Sequence, residues 1–135
     1  MKPIHIVVVG IALLCVAAPA AAHHGVANLY DMTKTVTLKG TIVKFEWTNP
    51  HNQIWFDVKE ENGMVTHWVV ATEPPQVMLE RGWSRRSLKF GDEITAYVFA
   101  AKNGAPVGNL QRLVFADGHE LVAAPAPGGN AAPAR

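Results

Sequence analysis

Three dipeptides that end in glycine, Asn62-Gly63, Asn103-Gly104 and Asp117-Gly118, cut the middle of the chain into short segments whose side chains alternate between apolar and polar. A chain turned this often has no room for long helices. Period-2 alternation bounded by turn residues specifies an antiparallel β domain.

The first strand is expected over residues 35–47. Val36 and Leu38 share one face, and beyond Gly40 the apolar residues Val43, Phe45 and Trp47 continue with the opposite parity. A parity switch beside a glycine is what a β-bulge produces: one extra residue, a bend and added twist. The second strand, over residues 52–59, sets Ile54, Phe56 and Val58 against Gln53, Trp55 and Asp57. Asn62-Gly63 predicts a type I′ hairpin turn into a third strand over residues 64–71. Counting across that turn pairs His67 with Val58 and gives His67 and Val69 one face. Thr72 or Glu73 then caps a short helix with prolines in its first turn, where a missing N–H does no harm. It continues over residues 76–81 and ends at Gly82 in the left-handed C′ position, with Trp83 packing back. Strands over residues 94–101 and 108–116 follow, and residues 120–122 add a short closing strand. The inward set is Ile54, Phe56, Val58, Val69 and Ile94.

Three strands, a helix and two strands is the order of an OB-fold. The expected class is therefore mainly all-β: an OB-fold-like five-stranded Greek-key barrel with one short helix between the third and fourth strands. An open five-stranded sheet with one helix gives nearly the same pattern.

The ends of the chain set its organisation. Lys2 precedes an apolar run from Ile4 to Val16, too short to span a bilayer, and Pro19 and Ala20-Ala21-Ala22 follow. This is the pattern of a secretory signal peptide over residues 1–22, cleaved after Ala22. Cys15 follows Leu14, whereas a lipobox needs a small residue there, so a lipid anchor is not expected. Residues 23–34 form an N-terminal segment, residues 35–122 the barrel domain, and residues 123–135 a disordered Ala/Pro/Gly tail. The location expected for the mature chain is the periplasm, with no stable membrane span after cleavage.

Composition matters through what cleavage removes. The whole chain has 12 basic and 11 acidic residues, and the leader takes only Lys2, so the mature charge is zero with neutral histidines. Nucleic-acid binding runs on excess Lys and Arg, and none is expected as a partner. Cleavage also removes Cys15, the only cysteine, which leaves no disulfide and no thiolate ligand. No phosphate loop, H-E-x-x-H or G-x-S-x-G signature occurs, and no catalytic residue is assigned. The basic run Arg85-Arg86 with Lys89 reads as a surface loop in which an anion site is a weak alternative. Trp47, Trp55, Trp68 and Trp83 read mostly as core or barrel-rim packing.

The histidines carry the chemistry. After cleavage His23 is the first residue, with a free α-amine beside its imidazole. The amine nitrogen and ring Nδ1 together can chelate a metal as a histidine brace, with His24 next in line. A third imidazole from the body completes a nitrogen set that suits Cu(II) in tetragonal geometry. His51 is the leading body candidate, because it follows the Asn49-Pro50 turn and opens the second strand at a barrel rim. His67 is expected at a core edge and His119 in a solvated loop. The expected metal ligands are thus His23, His24 and His51, with copper as the ion. Residues in a flexible start and a turn are the bland alternative, since short histidine pairs arise often by chance.

Five blocks, in order, resemble one family: Ala-His-His-Gly at residues 22–25, Val-Thr-Leu-Lys-Gly-Thr-Ile-Val at 36–43, Glu-Trp-Thr-Asn-Pro-His at 46–51, Arg-Gly-Trp-Ser at 81–84 and Leu-Lys-Phe-Gly-Asp-Glu-Ile at 88–94. The family is one of small exported proteobacterial proteins of unknown function, with paired histidines after the signal and an N-P-H turn. The resemblance covers residues 23–122 with no clear departure, although Gly25 stands where serine is commoner. It implies the domain and the exported location, but no activity, and it sets His23, His24 and His51 within the family's motifs. The function expected is a small periplasmic copper-binding protein that carries or buffers the ion. The rivals are a non-metal envelope binding or scaffolding module using the barrel face and, less directly, a redox enzyme with copper in an open brace.

Overall fold

The computed structural model describes residues 28–128. The elements run β1 (Val36–Glu46), β2 (Gln53–Lys59), β3 (Val65–Ala71), α1 (Pro75–Glu80), β4 (Glu93–Ala100), β5 (Val107–Phe115) and β6 (Glu120–Val122). The strands are hydrogen-bonded in the order β3-β2-β1-β4-β5-β6. A parallel pairing of Val69–Ala71 with Val107–Asn109 joins β3 to β5 and closes the first five strands into a barrel. With α1 between β3 and β4, this is the expected OB-like connectivity, and closure excludes the open-sheet alternative.

β1 makes the closure possible by serving two neighbours. Val36–Thr41 pair with Val98–Glu93 of β4, and Thr41–Glu46 pair with Asp57–Gln53 of β2. Gly40 sits at the changeover because the chains approach too closely there for a side chain. A Cβ on Gly40 would lie 2.7 Å from the Asp57 carbonyl oxygen and 2.8 Å from the Phe56 ring. The expected bulge is present but falls later, at Val43, where the register with β2 slips between Ile42 and Lys44. Ile42 is therefore fully buried and Val43 is the exposed extra residue, while Phe45 and Trp47 pack against the core as expected.

Each of the three Asx-Gly turns uses one device. The glycine has positive φ and donates its N–H to the carbonyl three residues back: Gly63 to Glu60, Gly104 to Ala101, Gly118 to Phe115. The preceding Asx oxygen accepts from the N–H two residues on, at Met64, Ala105 and His119. Glycine thus occupies the fourth turn position, the type I plus bulge arrangement, and the type I′ expectation for Asn62-Gly63 is corrected. An odd loop length changes parity. Lys59 pairs with Val65 and Asp57 with His67, so Val70 points inward in place of Val69. The other expected core residues, Ile54, Phe56, Val58 and Ile94, are buried.

α1 ends in a Schellman motif: Trp83 N–H bonds the Met78 carbonyl and Gly82 N–H, at φ 85°, bonds that of Leu79. Met78 and Trp83 are buried in the same core as the barrel strands. Trp83 Nε1 donates to the Val122 carbonyl, and the Arg81 guanidinium bonds that of Ala123. Ala123, the first residue of the Ala/Pro/Gly stretch, is buried, and its N–H and that of Ala124 both bond the Gln111 carbonyl.

Candidate metal centre

The loop between β1 and β2 is organised around one buried amide. Asn52 is 0% exposed. Its Oδ1 accepts from the Thr48 N–H at 3.1 Å, and its Nδ2 donates to Thr72 Oγ1 at 3.1 Å and to the Glu73 carbonyl at 3.0 Å. The Asn52 carbonyl accepts from the Thr72 N–H at 3.0 Å. This network ties the Thr48–Asn52 loop to the segment leaving β3, and every buried side-chain polar atom of the described residues has a partner.

His51 is carried outward by that anchor. Its ring is exposed, with Nδ1 3.0 Å from the Thr72 carbonyl oxygen. A carbonyl only accepts, so Nδ1 holds the proton and the lone pair is on Nε2, directed away from the contact. Metal-ligating histidines commonly donate Nδ1–H to a backbone carbonyl in this way, because the contact sets the tautomer and ring plane before an ion arrives.

The other two described histidines go elsewhere. His67 stands beside Asp57, with Nδ1 2.6 Å from Oδ1, on the outer face of β2 and β3; its side chain is 77% exposed, and the expected core edge is thereby corrected. The cause is the hairpin parity described above, since a one-residue slip moves each side chain to the other face. His119 is exposed, as expected. It stacks on Phe115 with centroids 4.0 Å apart, and its Nδ1 contacts Asp117 Oδ1. The His119 backbone N–H first, and its ring second, hold the Asp117 carboxyl below the ordinary value. His23 and His24 lie outside the described residues, as does the expected signal peptide. Among the described residues no three His, Cys, Asp or Glu side chains converge on one point, and no such group includes His51, the one expected ligand that is described.

The chain enters the barrel at a defined place. Tyr30 bridges Ala101, Asp31 N–H bonds the Ala100 carbonyl and Lys102 N–H bonds the Leu29 carbonyl. From that edge, β4, β5 and β3 lead round to Thr72 and His51.

A second feature occupies the outer face. A cleft of about 460 Å³ is lined by Lys39, Thr41, Asp57, Lys59, Glu93 and Thr95, among others. Lysines and carboxylates are both present, so it has no net preference of sign.

A model of a family of unknown function, DUF6152, matches residues 11–111. The chain belongs to this family. The DUF6152 match takes in the barrel from its first strand to the middle of β5. No curated protein and no solved structure matches the chain at a significant level.

Proposed function

We propose that the mature chain is a small periplasmic protein that binds one Cu(II) through an all-nitrogen site: the α-amine and Nδ1 of His23, with His24 adjacent, and Nε2 of His51. It holds the ion for carriage or buffering. The observation that carries this reading is His51, exposed, with Nδ1–H committed to the Thr72 carbonyl and the Nε2 lone pair left free.

The test is a copper titration of protein starting at His23, followed by electron paramagnetic resonance. One equivalent with nitrogen hyperfine structure is expected. His23→Ala weakens binding most, because it deletes half of a chelate. His51→Ala weakens it less, and His119→Ala leaves it unchanged. One extra residue before His23 converts the amine to an amide and is nearly as damaging as His23→Ala. Equal binding by the extended and native forms would refute the N-terminal ligand.

A second reading, a binding module that uses the barrel face without metal, rests on the outer cleft beside Asp57 and Lys59. Loss of function in a Lys59→Glu variant that keeps full copper uptake would favour it.

A further inference from the structure

The basic run after α1 is built into two consecutive turns. Ser87 N–H bonds the Ser84 carbonyl, which puts Arg85 and Arg86 at the corner of the first turn, and the two serine hydroxyls brace it by accepting from Arg86 N–H and Ser84 N–H. Asp92 N–H bonds the Lys89 carbonyl, and Gly91 at φ 87° takes the third position of the second turn, with Phe90 at its corner. The loop is pinned at Trp83 and Leu88, both buried, and Gly91 N–H bonds the Ile42 carbonyl. A rigid loop therefore holds Phe90 83% exposed, beside three cations whose charged ends make no ion pair or hydrogen bond among the described residues. The nearest acid in sequence, Asp92, is occupied, its Oδ2 accepting the Lys89 N–H at 2.8 Å.

A fixed aromatic on a turn tip, flanked by unpaired cations, contributes almost no burial free energy to the barrel, and such an exposed apolar group marks an interaction site. We propose that Arg85, Arg86, Lys89 and Phe90 form a docking tip for an anionic phospholipid surface, with Phe90 seated at the headgroup boundary and the cations on phosphates. Charge complementarity selects an anionic partner. Within residues 84–91 Phe90 is the single exposed large apolar side chain, and that selects a bilayer over an acidic protein, because protein interfaces centre on a contiguous apolar patch, whereas interfacial anchors are single aromatics among Lys and Arg. No described helix is long and apolar enough to cross a membrane, and this contact needs none.

Co-sedimentation of the chain starting at His23 decides the matter, using vesicles of equal phosphatidylglycerol and phosphatidylcholine against vesicles of phosphatidylcholine alone. Binding to the anionic vesicles only is expected, falling as salt is raised. Each surface cation contributes about fivefold, so Arg85→Ala with Arg86→Ala weakens binding about 30-fold. Phe90→Ser weakens it roughly tenfold. Removing two cations elsewhere, Lys34→Ala with Lys102→Ala, leaves binding within about threefold, because screening confines each charge to its own surroundings. All of these side chains are exposed, and unchanged thermal unfolding verifies that the barrel is intact. Equal binding to both lipids, no binding to either, or unaltered binding by the loop variants would overturn the proposal. So would a preference for polyglutamate over the anionic vesicles.

Discussion

Replacing Asn52 by alanine separates the stability of the β1–β2 loop from the chemistry of His51. The side chain makes three hydrogen bonds from a fully buried position, each contributing roughly 0.5–1.5 kcal/mol. Truncation does not orphan all of their partners. Thr72 Oγ1 still donates to the Glu73 carbonyl at 2.9 Å, so Thr48 N–H is the group left without a bond. Adding the small void gives a loss of about 3 kcal/mol, a large fraction of the 5–15 kcal/mol typical of a domain. At a urea m-value of about 1.5 kcal/mol/M the unfolding midpoint falls by about 2 M. His51→Ala removes one bond from an exposed ring and lowers the midpoint by less than about 0.5 M. Equilibrium unfolding by tryptophan fluorescence measures both. A drop under about 0.5 M for Asn52→Ala, or equal drops for the two variants, would refute the assignment of the loop anchor to Asn52.

Other outcomes follow from the same contacts. Phe56→Ala removes a 1%-exposed ring that stacks on Trp68 and costs about 3–5 kcal/mol in the same assay. Gly40→Ala forces a Cβ to 2.7 Å from the Asp57 carbonyl oxygen and destabilises by about 1–3 kcal/mol, with altered amide shifts at Asp57 in nuclear magnetic resonance spectra. In a carboxyl titration by the same method Asp117 has its midpoint below 3.8, and His119→Ala restores only part of the shift, since the backbone N–H is the larger cause and survives. A carboxyl depressed on folding stabilises the native state fully above its unfolded value. That contribution is lost as pH falls through the lower folded value, so the Asp117 turn loosens only below about pH 4.

What the sequence made legible is what local rules govern. The strand bounds, the Schellman ending at Gly82 and the three Asx-Gly turns rest on residues within four positions of one another, and they appear where pattern reasoning puts them. The errors occur where one residue decides a parity. Nothing local distinguishes glycine at the third from glycine at the fourth turn position, yet that choice moves Val70 inward in place of Val69 and sets His67 against Asp57. The bulge shows the same weakness. Gly40 marks the changeover of β1 from β4 to β2, and the extra residue is Val43, because pairing with β2 begins only at Thr41.

Asn52 marks the deeper limit. Its neighbours Asn49, Pro50 and His51 announce a turn, but the burial of its amide depends on Thr72 and Glu73, twenty residues away across the sheet, and no periodicity carries that information. This bears on the site more than on the fold. An exposed turn histidine has two tautomers and many ring orientations, and a ligand drawn from such a residue loses binding free energy in ordering it. Here the Thr72 carbonyl removes the tautomeric choice and the Asn52 network fixes the loop that bears the ring. The body half of the proposed copper site is thus organised by the fold before the ion arrives.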